Sequence, residues 1–138
     1  MRRRLFVATA AGLLLAASTG CGGQADSPGA LVRITERDFK ISAPKEIAAG
    51  DIRLEVTNKG PVAHELIVVR TNSRLPLRSD AITVDEDALE PSIPGVLEPG
   101  EPGRTRTLRL RLLPGRYMLI CNMAGHYLGG MHAVLRVR

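Results

Sequence analysis

A chain of 138 residues carries one domain's worth of core, which excludes a multidomain enzyme. Apolar residues are 44% and charged residues 24% of it, ordinary for a globular protein and unlike a disordered or fibrous chain. Aromatics are only 3%, and the +5 charge is concentrated at the start: removing Arg2, Arg3 and Arg4 from 19 basic side chains leaves 16 against 14 acidic, or +2, which excludes both a base-stacking platform and a polyanion footprint.

Those three arginines precede the apolar run Leu5 to Ala17. The run is too short for a permanent membrane helix, which takes ~20 apolar residues, so residues 1–20 read as an export signal peptide. Arg3-Arg4-Leu5-Phe6-Val7 also resembles a twin-arginine export signal. The stretch Ala16-Ala17-Ser18-Thr19-Gly20-Cys21 resembles a bacterial lipobox, with Ser18 where an aliphatic residue is usual. Cys21 is therefore the expected lipid-attachment residue, ordinary cleavage near Ala17 being the alternative. Residues 21–30 form a Gly/Ser/Pro tether and residues 31–138 the folded domain.

From residue 31 the apolar pattern has period two. Ile52, Leu54 and Val56 alternate with polar residues, as do Leu108, Leu110 and Leu112, so each run predicts a strand with one face on a core. Leu66 to Val69 is continuously apolar and predicts a strand buried on both faces. With turn signals at Pro44, Gly50, Gly60-Pro61, Pro99-Gly100, Pro102-Gly103 and Pro114-Gly115, strands are predicted over 31–35, 38–42, 51–58, 63–70, 105–113, 116–121 and 132–138. The fold class is an all-β sandwich or barrel. Residues 71–103 are least regular; a short helix or edge strand is expected around 80–90, and the acidic cluster Asp80, Asp85, Glu86, Asp87 and Glu90 reads as a solvated loop.

Chemistry is concentrated in one segment, where Cys121, His126 and Met131 follow one another as Cys-x4-His-x4-Met in a glycine-rich loop after an apolar strand. A thiolate, imidazoles and a weak axial thioether are the donor set of an electron-transfer copper site, and zinc is disfavoured by the thioether. Such a site needs a second imidazole, and His64 at the mouth of the strand that follows is the candidate. Taken singly, each has a plainer reading: a buried structural thiol, a hydrogen-bonded or loop histidine, a core methionine. Met123 and His132 are spare donors expected at the surface.

The loop Cys121-Asn122-Met123-Ala124-Gly125-His126-Tyr127-Leu128-Gly129-Gly130-Met131, with Leu112-Leu113-Pro114-Gly115-Arg116-Tyr117 before it, resembles the small blue copper proteins, the cupredoxins, in their sulfocyanin- and rusticyanin-like branch. The resemblance covers residues 31–138. It implies an eight-stranded Greek-key sandwich holding one copper ion, Cu(I)/Cu(II), on His64, Cys121, His126 and Met131. Glu65 departs from it, standing where many cupredoxins have a small Asn or Ser; aimed at the site its charge would favour Cu(II), aimed at solvent it would do nothing.

The function so implied is one-electron transport, without catalysis, by a monomer at the outer face of a bacterial cytoplasmic membrane or in the periplasm, held by a lipid anchor. The expected partners are a cytochrome, a respiratory oxidase or a copper enzyme, with no nucleic acid. Met123, Ala124, Tyr127, Leu128 and the neighbouring glycines should form an uncharged docking patch around the His126 edge, since weak electron-transfer encounters bury under ~1,200 Å². Copper storage, delivery or stress protection is the alternative function. An oxidase or nitrite reductase would need a second copper centre with more histidines than His64, His126 and His132.

Overall fold

The computed structural model describes residues 29–138, so the expected signal peptide, Cys21 and most of the tether lie outside the described residues. Nine strands run in chain order: β1 (Ala30–Arg37), β2 (Lys40–Ser42), β3 (Glu46–Ile47), β4 (Gly50–Asn58), β5 (His64–Arg70), β6 (Gly95–Gly100), β7 (Thr105–Leu112), β8 (Gly115–Ile120) and β9 (His132–Val137). They form a four-stranded sheet in the order β2-β1-β4-β7 and a five-stranded sheet in the order β3-β9-β8-β5-β6. Pairing is antiparallel except for β1 with β4 and β3 with β9.

The alternation seen in the sequence fills the space between the sheets. Val32, Ile34, Ile52, Leu54, Val56 and Leu112 from one sheet meet Leu66, Val68, Leu119, Leu135 and Val137 from the other, all buried. Each such Leu, Ile or Val contributes about 1.5–3 kcal/mol by leaving water. Cys121 and Met131 belong to this same core, at one end of the sandwich.

A second, smaller core lies on the outer face of the five-stranded sheet, where Ile67, Val69, Met118 and Ile120 pack against Leu75 and Val84. Strand β5 is thus buried on both faces, as its continuous apolar run predicts. The cover comes from residues 71–94, which contain a short helix α1 (Glu86–Leu89), capped by Asp85 Oδ1 accepting from Ala88 N–H at 3.2 Å, and a 3-10 turn at Glu90–Ser92.

The predicted strands are present, with boundaries moved by a few residues and two strands, β3 and β6, added. β3 has only two residues, too few for a period to show. β6 contains Pro99 and ends on Gly100, a composition that reads as a turn; it is tolerated because β6 is the edge of its sheet. The first turn also moved: Glu36 and Arg37 continue β1, and Asp38-Phe39 form the turn instead of opening a strand at 38.

Candidate metal centre

His64, Cys121 and His126 meet at the end of the sandwich, with one ring nitrogen of each histidine and the Cys121 sulfur all within 4.8 Å of one another. Nδ1 of His64 lies 4.0 Å and Nδ1 of His126 3.4 Å from the Cys121 sulfur. The two imidazoles stand 5.2 Å apart, inclined at 61°. His64 and Cys121 are fully buried and His126 is partly exposed. Among the described residues Cys121 is a free thiol.

Two chain segments supply these donors. β5 begins at His64, and the loop before it is fixed by the buried Asn58, whose Nδ2 donates to the carbonyls of Val62 at 2.7 Å and Gly100 at 2.9 Å. Cys121 directly follows β8, the antiparallel neighbour of β5. The loop after it folds back through hydrogen bonds from His126 N–H to Met123 at 2.8 Å and from Met131 N–H to the His126 carbonyl at 3.0 Å. Gly125 and Gly130 make this return, at φ 78° and 101°, where a side chain would be strained. Met131 is fully buried beside the cluster, and its carbonyl accepts from Cys121 N–H at 3.1 Å.

Burial raises the Cys121 thiol above its ordinary value, with hydrogen bonding from the backbone at Glu65 and Met123 pulling the other way. Burial lowers His64, against the pull of Asp38. Both shifts favour the neutral forms of the two side chains, so an ion binding here would take up a neutral imidazole and displace the thiol proton to solvent. The donor set, one sulfur with two ring nitrogens, fits copper better than the harder oxygen-seeking cations.

Glu65 is half-buried, and its charge acts on the Cys121 thiol, which it raises. Its Oε1 accepts the backbone N–H of Asn122 at 3.0 Å, next to Cys121, and burial together with the Glu86 charge raises its carboxyl. Asn122 also reaches the covering segment, with Nδ2 donating to Glu86 Oε1 at 2.6 Å. Part of the acidic cluster is therefore pinned to the loop after Cys121 instead of being solvated.

Of the two spare donors, His132 is exposed as expected, with its ring 5.3 Å from that of Tyr127, whereas Met123, expected at the surface, packs half-buried against the core. The expected patch is present in part: Ala124, Leu128, Gly129 and Gly130 are exposed, whereas Tyr127 turns toward the second core. Two neighbours of the site were missed from the sequence. Asp38 Oδ1 lies 2.7 Å from His64 Nε2, and Phe39 meets the His126 ring edge-on at 5.3 Å.

No family model matches the chain, and no curated protein matches it in sequence. Solved structures do match. Dithionite-reduced auracyanin from Roseiflexus castenholzii is 20% identical over 78% of this chain and 96% of its own, with a TM-score of 0.61. Auracyanin A, a "blue" copper protein from Chloroflexus aurantiacus, is 18% identical over 80% of this chain and 99% of its own, at 0.60. Rusticyanin from Thiobacillus ferrooxidans is 14% identical over 80% of this chain and 79% of its own, at 0.60. At these identities the likeness is one of architecture, and that architecture is the cupredoxin fold of the small blue copper proteins.

Proposed function

We propose that this protein is an exported type 1 copper protein that carries single electrons between redox partners. His64, Cys121 and His126 would hold the ion, with the Met131 thioether as a weaker fourth donor. The observation that carries this reading is the convergence of one buried thiol and two imidazole Nδ1 atoms on one point, in a fold shared with blue copper proteins.

When bound, copper supplies a one-electron Cu(II)/Cu(I) couple. The chain's residues do the rest. Strands β5 and β8 hold His64 and Cys121 from a packed core, so the donors have little freedom to follow the differing preferences of the two oxidation states. His126 is the ligand that reaches the surface, between exposed Leu128 and Phe39, and is the exit for the electron. The partner is a redox protein, such as a cytochrome, an oxidase or a copper enzyme, that docks briefly on this patch.

Residues 1–20 support export, and Cys21 supports a lipid anchor at the outer face of the cytoplasmic membrane or in the periplasm. Among the described residues no helix is long and apolar enough to cross a membrane.

Adding Cu(II) to the purified protein should give an intense blue thiolate charge-transfer colour and reversible one-electron voltammetry. Cys121→Ser should abolish the colour; Met131→Gln should retain copper at a lower potential. A Cys121→Ser variant as blue as the parent would defeat the ligand assignment. Copper that binds but does not cycle would point to storage or delivery.

A further inference from the structure

Asp38 stands at the turn between β1 and β2, and its Oδ1 approaches Nε2 of His64 to 2.7 Å. The imidazole is 0% exposed and the Asp38 side chain only 29%. A carboxylate accepts and does not donate, so Nε2 carries the ring proton. That leaves the lone pair on Nδ1, the atom facing Cys121. The backbone of Gly60 covers the contact: a Cβ there would lie 2.8 Å from both Asp38 Oδ1 and His64 Nε2.

The two imidazoles are therefore unequal. His126 has the apolar edge of Phe39 beside its ring, whereas His64 has an anion at its far nitrogen. A carboxylate hydrogen-bonded to the outer nitrogen of a metal-binding histidine fixes its tautomer and orientation and makes it a stronger donor. A stronger donor and a nearby negative charge both favour the more highly charged oxidation state.

Resting on the copper reading above, we propose that Asp38 is a positioning residue that locks His64 as the Nε2–H tautomer and biases the bound ion toward Cu(II). The turn that moved from its predicted place is what brings Asp38 to the site.

Nitrogen-15 NMR of the histidine rings in copper-free protein tests the positioning. The parent should show His64 with the proton on Nε2 alone, and Asp38→Ala should show a mixture of tautomers. Voltammetry of the copper-loaded protein tests the bias. Asp38→Asn keeps an oxygen acceptor and removes the charge, so the ratio of Cu(II) to Cu(I) affinity should fall about tenfold, a rise of about 59 mV. Asp38→Ala should in addition weaken Zn(II), a redox-inert probe, by about 10–100-fold. An Asp38→Asn potential equal to the parent's, or a His64 tautomer unmoved in Asp38→Ala, would overturn the proposal. A parent that takes up no copper defeats the functional reading instead, and the ring NMR still decides whether Asp38 positions His64.

Discussion

Asn122 and Val84 exchange hydrogen bonds in both directions: Asn122 Oδ1 accepts Val84 N–H at 2.6 Å, and Asn122 Nδ2 donates to the Val84 carbonyl at 3.0 Å. The side chain beside Cys121 thus takes the place of a strand partner for a residue of the covering segment. Because the Asn122 backbone also donates to Glu65, one residue ties together β5, the loop after β8 and the segment before α1.

Asn122→Ala leaves both backbone groups of the fully buried Val84 without partners. Each orphaned group costs about 1–3 kcal/mol, so urea unfolding of the copper-free protein should show a loss of about 2 kcal/mol or more. Amide exchange at Val84 should accelerate along with it. If stability and exchange both stayed at parental values, water would be replacing the side chain and the tie would carry no weight.

Glu36 gives the fold a stability term that depends on pH. It is fully buried, paired through Oε2 with Arg106, and its Oε1 has no partner. Burial raises its carboxyl to about 7, outweighing the Arg106 charge, with Glu65 adding to the rise. Between about 4.5 and about 7 the folded chain holds a proton there that the unfolded chain has lost. The contribution of Glu36 is therefore complete below that window, is lost as pH rises through it, and is constant above. Comparison with Glu36→Gln isolates the effect, since His64 and Glu65 titrate in both proteins. Parent stability minus variant stability, from urea unfolding without copper, should decline from pH ~4.5 to ~7 and then level off. A flat difference would mean that Arg106 keeps Glu36 ionised throughout.

The same pair explains which parts of the site were legible in the sequence. Cys121, His126 and Met131 share one loop, so their spacing alone brings them together, and β5 announces its double burial through Leu66 to Val69. Asp38 and Phe39 were hidden because Glu36, a charged residue, reads as the end of a strand. It is instead buried against Arg106, 70 residues further on, so β1 continues past it and the turn shifts toward the metal cluster. Phe39, which reads as a strand residue, is left 49% exposed over His126. Glu65 has the same character: it is held by the Asn122 N–H and feels the Glu86 charge, neither of which any local pattern contains.

Phe39 can be disturbed beside His126 in two ways that change none of the clustered side chains. Phe39→Ala deletes the ring, at a cost of about 1 kcal/mol for the lost aromatic pair. Gly129→Ala nudges it, because a Cβ there would lie 3.0 Å from Phe39 Cδ1 and the ring must give slightly. Either change admits water to His126, the partly exposed histidine of the cluster. A more polar surrounding stabilises the oxidation state of higher charge, so both variants should have a lower reduction potential than the parent. Voltammetry alongside urea unfolding separates this from simple packing. Parental potentials in both variants, with only stability reduced, would show that Phe39 packs on His126 without controlling its access to water.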